Sequence, residues 1–518
     1  MKTITTQTAI TDSPRQPFGF SGHRHSGIHQ AGRIAGHTFD LTMNILGNTE
    51  KLVSDIVRDA FSVAHETEAV IAKAWAQAAT VNAAIRSTPR FTRIFSELIR
   101  IVISYRVQAI KARFITAGEA ERTLEALHQR NATRLYNLCV EMRGGLIKIG
   151  QFASTYINAL PPVYGQYLSK LQDRVPPVAY SDIVRRIESE FDRPAAQLFS
   201  RIDPEPIAAA SLAQVHKAEL IDGTQVVIKV QMPSIEHTVD IDLTAFKIAA
   251  DIMNDLFPAL GLSEISRTLA DSVLEELDYR EELANIQKFK EQIKSNPRIV
   301  VPRVYPEFST QRVLTMESME GERLIPFLEK ASFEGRNRVL TLLAESFCSQ
   351  IIAHGFFHAD PHPGNIFVLS GDRLGLIDFG CVGRFSREMY AQYMKMIAAI
   401  LGGNAEEMAG LFKDMGFVSH AGADESLRQM ATDFIELLML HPGQSLRDVD
   451  QAQKLTRGLE LIRKYPAIRV PRHFVLLGRV LLTLGGIMMR YNPDINVFML
   501  ILNQAAQTGI TGSEMTPR

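Results

Sequence analysis

The two short stretches that decide the fold are "HADPHPGN" at residues 358–365 and "DFG" at residues 378–380. Asp360 is followed five residues later by Asn365, and Asp378 comes thirteen residues after that asparagine. An aspartate, an amide and a second aspartate at the end of a strand can hold the metal ions of a nucleotide and orient an attacking hydroxyl. Phosphoryl transfer mainly needs positioned groups and charge neutralisation, which carboxylate and amide oxygens bound to Mg²⁺ provide. The spacing therefore indicates a nucleotide-dependent site.

Two histidines in the first stretch raise the alternative of a zinc site. His358 and His362 are separated by a proline, and the sequence around them offers neither a third nitrogen ligand nor a thiolate. Zinc sites in proteins take three or four such ligands. We therefore predict that the two histidines brace the loop.

Upstream, the β-branched run "VVIK" ends at Lys229, a position where an unpaired charge would be costly. The run belongs to a predicted hairpin, with strands at 213–220 and 224–232 around an Asp-Gly turn. The segment before it, "AAASLAQV", aligns with the phosphate-covering pattern G-x-G-x-x-G-x-V of kinases. The residues in the three glycine positions and the valine position are Ala208, Ala210, Ala213 and Val215. Because alanine adds a methyl group, we expect a stiffer loop that holds nucleotide differently from a glycine loop.

The lysine needs a carboxylate partner, and "EELDYREEL" at 275–283 is rich in acids. On one continuous helix Asp278 and Glu282 would share a face, with Glu276 about 120° away from Glu282. Such a helix could present carboxylates to two different lysines. The second candidate lysine is Lys148 in "GGLIKIGQFAS", where Gln151 follows three residues later on the same helix face.

Composition narrows the class of protein. The chain has 518 residues, 46% of them hydrophobic, a length for which two or three folded domains are expected. Its net charge of −1 supplies no basic field for nucleic acid, so no nucleic-acid partner is predicted. The three cysteines are far apart, which suits a reducing compartment better than a disulfide framework.

No apolar run reaches the roughly 18–20 residues that a membrane-spanning helix needs. The nearest candidates, 95–110 and 474–489, are interrupted by Arg100, Arg106 and Arg479. The first could lie on a membrane surface, since arginines flank its apolar stripe. The N-terminus lacks the apolar core of a secretory signal. We predict a cytoplasmic protein without a secretory signal or transmembrane helix, and peripheral contact with the inner membrane stays open.

Taken together, these motifs resemble those of the ABC1/ADCK/UbiB atypical kinases, which include the bacterial AarF-like proteins. The resemblance runs from about residue 130 to 490, with "KIGQ" as the family's K-x-G-Q, "AAAS" as its alanine-rich loop and "ELD" as its E-x-D. The catalytic positions that it implies are Asp360, Lys148, Gln151, Glu276 and Asp278. The implied nucleotide-binding positions are Ala208, Ala210, Ser211, Ala213, Val215, Lys229, Glu282 and Glu317, the last in the hinge region. The implied metal ligands are Asn365 and Asp378.

The resemblance implies an α+β, protein-kinase-like two-lobed fold with an N-terminal helical extension packed over the active site. The expected organisation is a flexible tail at 1–37, the extension at 38–177, the nucleotide-binding N-lobe at 178–320, the mostly helical C-lobe at 321–505 and a second tail at 506–518. The expected cofactors are ATP or ADP with Mg²⁺. Members act as ATPases more readily than as protein kinases and support ubiquinone biosynthesis at membranes. The expected partners are therefore a lipid or quinone precursor, with ubiquinone-biosynthesis proteins as an option left open.

Two alternatives remain at this point. "HADPHPGNI" also resembles the loop of aminoglycoside and choline kinases, which would make the protein a small-molecule phosphotransferase; "KIGQ" and "AAAS" argue against this. A nucleotide-gated scaffold of a biosynthetic complex would keep the same binding residues, so the intact set argues against it only modestly.

Overall fold

The computed structural model divides the chain after Ala69, and the helices and strands named below lie in the unit from Val70 to Arg518. The structure describes residues 68–155, 161–171, 176–258, 261–419, 424–438, 446, 468–469 and 472–507. The tail predicted at 1–37, the first part of the predicted extension and nearly all of the tail predicted at 506–518 lie outside these residues.

Helices make up most of the described chain. They are α1 (Ala83–Arg86), α2 (Pro89–Lys111), α3 (Ala117–Met142), α4 (Gly145–Thr155), α5 (Pro162–Leu168), α6 (Tyr180–Phe191), α7 (Ile235–Leu256), α8 (Leu262–Glu275), α9 (Tyr279–Gln292), α10 (Leu324–Lys330), α11 (Phe333–Cys348), α12 (Arg387–Leu401), α13 (Ala405–Asp414), α14 (Asp424–Leu438), α15 (Arg472–Tyr491) and α16 (Val497–Gln507).

The strands form small sheets between these helices. They are β1 (Phe199–Ile202), β2 (Ala208–Ala209), β3 (Ala213–Leu220), β4 (Gln225–Gln231), β5 (Ile299–Val300), β6 (Val313–Glu317), β7 (Glu322–Arg323), β8 (Phe356–His358), β9 (Ile366–Leu369), β10 (Arg373–Leu376), β11 (Val382–Arg384), β12 (Val418–Ser419) and β13 (Ile468–Arg469).

The helices α2 to α5 form the N-terminal extension and share one buried apolar cluster with α7 and α8. Capping residues define where two of these helices begin. Thr88 caps α2 by accepting the backbone N–H of Phe91, with Pro89 in the first turn. Thr116 and Glu119 form a reciprocal capping box at the start of α3. Within the cluster, α4, which carries "KIGQ", packs against α3 and α5 on one side and against α7 and α8 on the other.

The nucleotide-lobe sheet contains the predicted hairpin. β3 and β4 pair antiparallel from Ala213↔Gln231 to Glu219↔Gln225, and the sheet order is β1-β3-β4-β6 with β2 added to β3. Gly223 takes a φ of +86° at the turn, which glycine adopts without strain. Helix α6 shares a buried cluster with this sheet. The register places Lys229 opposite Val215 on one side and Leu314 on the other.

The prediction that 275–283 lies on one continuous helix is wrong. Helix α8 ends at Glu275 and α9 begins at Tyr279, so the "ELD" residues lie in the break between two helices. Asp278 has extended backbone angles and its side chain accepts the N–H of Arg280, which is the geometry of an N-cap. Aspartate favours such caps over helix interiors because its short side chain competes for backbone hydrogen bonds.

The C-lobe surrounds a four-stranded sheet with the order β5-β10-β9-β7. Strand β5 lies within the range predicted for the nucleotide lobe, yet it pairs in parallel with β10. The helices α11, α12, α13 and α15 share one large buried cluster with this sheet and with α9. The α9 helix therefore joins the two lobes, with the candidate site beside it.

The two apolar segments considered as membrane candidates fall within α2 and α15. Of the helices that the structure describes, none is long and apolar enough to cross a membrane.

Candidate active site

Lys229 on β4 and Glu282 on α9 form an ion pair, with Nζ 2.8 Å from the carboxylate. The glutamate side chain is 3% exposed, and the lysine ammonium also lies 5.1 Å from the centre of the Tyr279 ring. Burial opposes the charge on Lys229, but the attraction of Asp378 and Glu282 outweighs it and holds the lysine pKa well above its ordinary value. The expected lysine–glutamate pair is thus present, and it holds a positively charged side chain on β4 of the nucleotide-lobe sheet.

Asp378 lies at the end of the C-lobe sheet with its carboxylate 3.4 Å from Lys229 Nζ. Its φ of +61° is a left-handed conformation that aspartate tolerates better than most residues. Attraction by Lys229, with smaller contributions from Lys148 and His358, lowers the pKa of Asp378 to about 2. The group therefore keeps its negative charge down to acid pH, as a metal ligand requires.

The backbone of the "HADPHPGN" loop is held by His358, which is 1% exposed. Its Nδ1 accepts the N–H of Asp360 at 3.2 Å, so the ring proton is on Nε2, which donates to the carbonyl of Ile377 at 3.0 Å. His362 Nδ1 likewise accepts the N–H of Gly364. The prediction that these histidines brace the loop is confirmed. His358 also ties the loop to the residue before Asp378.

Asn365 lies next to Asp378 because its carbonyl accepts the N–H of Ile377 at 3.0 Å. Its amide nitrogen donates to the carbonyl of Asp360 at 3.2 Å. The amide oxygen is then the atom left to act as a ligand. Asp360, Asn365 and Asp378 are consequently brought together by main-chain hydrogen bonds in addition to their spacing in sequence.

Sequence reasoning missed the buried Asn285, one turn after Glu282 on α9. Its amide donates to the carbonyl of Phe379 at 2.9 Å, and its oxygen accepts from Arg384. One face of α9 therefore holds both Lys229 and the "DFG" segment. A polar residue three positions from the paired glutamate was the available signal, since such residues share a helix face.

Sequence reasoning also missed Arg479, whose guanidinium lies 2.8 Å from Asp360 Oδ1. The arginine comes from α15, more than a hundred residues beyond the loop, and its side chain is 23% exposed. The available signal was the single arginine in the apolar stretch "FVLLGRVLLTLGGIMM", since a charged residue on an otherwise apolar helix face calls for a partner. An arginine on such a face is retained where it pairs with a carboxylate.

Lys148 reaches this site from the extension. Its Nζ lies 3.1 Å from the Glu276 carboxylate, and the side chains are 16% and 20% exposed. Asp278, the other acid of "ELD", caps α9 and pairs with Arg280. The positive charge of Lys148 also contributes, less than Lys229 does, to the lowered pKa of Asp378.

Gln151 has a different environment from Lys148, although the two share a helix face. Its amide donates to the carbonyl of Leu171 at 3.2 Å, which fastens the chain that follows α5. The contact holds parts of the extension together. A catalytic role for Gln151 stays a prediction.

The alanine-rich segment forms a tight hairpin beside Lys229. Ala208 pairs with Val215, and the N–H of Ala210 donates to the carbonyl of Ala213 at 2.8 Å. Ser211 and Ala213 are 2% and 4% exposed. The methyl of Ala213 belongs to the buried cluster, so it supports the hairpin from within.

Glu317 ends β6, where the chain leaves the nucleotide-lobe sheet. Its carboxylate accepts the N–H of Arg303 at 3.0 Å, and its own N–H donates to the carbonyl of Arg303. These bonds hold the neighbouring segment. The adenine-binding role assigned to Glu317 stays a prediction.

The donor set fits Mg²⁺. Magnesium prefers oxygen ligands and is commonly bound by one or two protein groups, with water and phosphate completing its shell. An ionised Asp378 and the amide oxygen of Asn365 supply such a pair, whereas a group of three or more His, Cys, Asp or Glu able to hold a metal is absent from the part of the chain that the structure describes. The charged side chains that converge here are Lys148, Lys229, Arg479, Glu276, Glu282, Asp360 and Asp378.

Several known proteins are similar to this chain. The family model of the ABC1 atypical kinase-like domain matches residues 170–412. An uncharacterized protein of Synechocystis is 30% identical over 365 residues, which cover 68% of this chain and 88% of that protein. The Arabidopsis thaliana protein ACTIVITY OF BC1 COMPLEX KINASE 8, chloroplastic, is 36% identical over 298 residues, covering 56% of this chain. AarF domain-containing protein kinase 1 of Xenopus laevis is 30% identical over 307 residues, covering 58% of this chain.

The matches span only part of two of these relatives, 39% of the Arabidopsis protein and 59% of the Xenopus protein. Among solved structures, Rv3197 of Mycobacterium tuberculosis, determined in complex with erythromycin, aligns with a TM-score of 0.51 at 24% identity. The alignment covers 77% of this chain and 98% of that one. That likeness shows the kinase-like fold. The matched domain and the relatives together show that this chain belongs to the ABC1 (AarF domain) family of atypical kinases.

Proposed function

We propose that the protein binds Mg²⁺ with ATP or ADP and catalyses ATP-dependent phosphoryl transfer, as an ATPase or atypical kinase that supports ubiquinone or other isoprenoid-lipid metabolism. The observation that carries the proposal is the arrangement around Asp378. A paired lysine, an amide oxygen and an ionised carboxylate lie close together, beside a second aspartate on a braced loop.

Each group has a role that follows from its position. Bound Mg²⁺ would supply charge neutralisation to the phosphates. Lys229, held by Glu282, contacts the phosphates as a fixed cation. The alanine hairpin, which includes the neighbouring strand β3, covers the phosphates. Asp360, restrained by Arg479, orients the attacking water or hydroxyl.

The proposal is tested by measuring Mg²⁺-dependent ATP hydrolysis by the purified full chain, with and without isoprenoid lipid, for the wild type and for Asp360→Asn. Hydrolysis that rises with lipid and is lost in the variant supports it. A stoichiometric phosphorylated product from a panel of hydroxylated metabolites would instead identify a small-molecule phosphotransferase. Complementation of a deletion strain by Asp360→Asn would show that a scaffold role suffices.

We expect Lys148→Ala to change nucleotide preference and to expose autophosphorylation. Removing the cation takes one positive charge from the neighbourhood of Asp378 and removes the ion pair with Glu276, so the affinities for ATP and ADP should change unequally, by about tenfold in their ratio, or ~1.4 kcal/mol. Nucleotide titrations and incorporation of labelled phosphate measure the two effects. The matched control is Lys170→Ala, an exposed lysine of the same extension. An unchanged ratio together with absent autophosphorylation would refute a restricting role for Lys148.

We also propose that the protein contacts a membrane, and an apolar groove of about 350 Å³ on the extension supports this. Its lining includes Trp75, the single tryptophan of the chain, which is 62% exposed and packs edge-on against Phe95. Two exposed arginines, Arg86 and Arg100, also line the groove. Apolar surface beside arginines suits the interface of an anionic bilayer, where aromatic side chains lie at the headgroup level. The proposed occupant is accordingly an anionic bilayer surface.

Trp75 reports on this contact directly. Its emission should shift to the blue on adding phosphatidylglycerol vesicles and should be quenched by brominated lipid, with little change for phosphatidylcholine vesicles. Arg86→Gln and Arg100→Gln should each weaken binding about fivefold, since a basic residue near an anionic surface contributes ~1 kcal/mol. Arg185→Gln, an exposed arginine on α6, is the matched control. If the emission of Trp75 did not change on adding anionic vesicles, this face would be excluded as the membrane contact.

A further inference from the structure

The start of helix α4 is held by a carboxylate from another helix. Asp242 on α7 has no exposed side-chain surface, and its Oδ2 accepts the N–H of Leu146 at 3.1 Å. The first N–H groups of a helix have no partner within the helix, and the helix dipole favours an anion there. Asp242 therefore caps α4 from the nucleotide lobe.

Arg90 on α2 completes the contact from the extension side. Its guanidinium donates in a fork to both carboxylate oxygens of Asp242, each at 2.7 Å, and also to the carbonyls of Met142 and Arg143. One arginine thus binds the end of α3, the turn before α4 and the capping carboxylate. A buried bidentate pair of this kind restricts geometry more than an exposed ion pair does.

The backbone between α3 and α4 is shaped for this contact. Arg143 has φ +56° and ψ −155°, a region that residues with a side chain rarely occupy and that persists only where surrounding contacts impose it. A Cβ on Gly145 would lie 3.0 Å from Asp242 Oδ2 and 3.3 Å from the backbone of Val239. The second glycine of "GG" is therefore required for the close approach of α4 to α7.

The contact lies in the same helical turn as Lys148. Because α4 rises about 1.5 Å per residue, the capped N–H of Leu146 is only ~3 Å along the axis from Lys148, within the same turn. Displacing that turn would move the lysine away from Glu276. Glu276 itself would stay in place, because it lies in the break between α8 and α9, where Asp278 caps α9 independently of α4.

We infer that the Arg90–Asp242 pair positions Lys148 over the nucleotide site, by locking the first turn of α4 to both the extension and helix α7. The inference rests on the proposed nucleotide function, because its consequence is read through Lys148. Arg90 and Asp242 are positioning residues and contact neither nucleotide nor metal in this scheme.

The test compares Asp242→Asn with Lys148→Ala and with the double variant in the full-length protein. Asp242→Asn should shift the ratio of ATP to ADP affinity in the same direction as Lys148→Ala, by about threefold or more, and the double variant should shift it no further than Lys148→Ala alone. Such non-additivity is expected only where one residue acts through the other. Hydrogen exchange at 144–149 should become faster in Asp242→Asn.

Asp240→Asn is the matched control, an exposed aspartate two residues away on α7, and it should change neither quantity. Where thermal unfolding shows that Asp242→Asn does not fold, Arg90→Lys carries the test, since it keeps the charge but loses the fork. Additive effects in the double variant, or unchanged exchange at 144–149, would overturn the inference. A wild type that binds no nucleotide would instead refute the proposed function, while the exchange measurement would still test the lock.

Discussion

Asp378→Asn is expected to lower the rate of Mg²⁺-dependent ATP hydrolysis at least about 100-fold, the size of effect seen when one preorganised charge-stabilising group is removed. An aspartate is ionised at neutral pH, and Lys229 lowers the pKa of Asp378 further, to about 2, so the variant removes a full negative charge from the proposed metal site. Asparagine accepts the left-handed backbone of this position, φ +61°, which preserves the local fold. Steady-state hydrolysis and a Mg²⁺ titration measure the loss.

The matched control is Asp372→Asn, a substitution of the same chemistry in a residue with φ +53°, just before β10. Asp372 is partly exposed and pairs with Arg338, an ion pair whose loss should cost at most ~1 kcal/mol of stability and leave hydrolysis unchanged. If Asp378→Asn hydrolysed ATP at the wild-type rate at low Mg²⁺, another group would hold the metal and the proposed site would be misassigned.

Much of the site could be predicted because its residues act within short stretches. The spacing of Asp360, Asn365 and Asp378 follows from a loop and two strands that are close in sequence, and the hairpin that carries Lys229 is set by strand patterning around an Asp-Gly turn. The loop-bracing role of the two histidines could also be predicted locally, because a zinc site needs ligands that the loop does not supply.

The break between α8 and α9 could not be predicted from apolar periodicity. The stripe of apolar residues continues to Leu277, which is buried, while the chain nevertheless leaves the helix. The cue was Asp278, whose capping preference competes with helix continuation, and periodicity does not weigh that competition. A helix end of this kind therefore separates Glu276 from the helix that carries Glu282.

Ion pairs between segments that are distant in sequence could not be predicted from local sequence patterns. Arg90 and Asp242 are 152 residues apart, and each lies in a helix whose periodicity explains only its apolar face. Only the folded arrangement of α2 and α7 shows that the two polar groups are buried together. The same holds for the arginine of α15 that reaches the catalytic loop.

The arginine in question, Arg479, provides the second large effect. Arg479→Gln is expected to lower the turnover of ATP about 10- to 100-fold, because small displacements of an orienting group cost rates of that order. The guanidinium holds Asp360 Oδ1 at 2.8 Å, and without it the aspartate loses both its fixed orientation and a compensating charge in a site rich in carboxylates. KM for ATP should change little, since in the proposed mechanism Asp360 orients the attacking hydroxyl while Lys229 holds the phosphates.

That division between turnover and KM separates an orienting role from a structural one. Arg490→Gln, on the same helix α15, removes an exposed arginine paired with Glu329 at 2.8 Å and should leave both constants unchanged. A general loosening of α15 would lower the melting temperature and raise KM together with the loss of turnover. Faster turnover in Arg479→Gln would show the reverse relation, in which the arginine restrains Asp360 and competes for the carboxylate that the substrate hydroxyl requires.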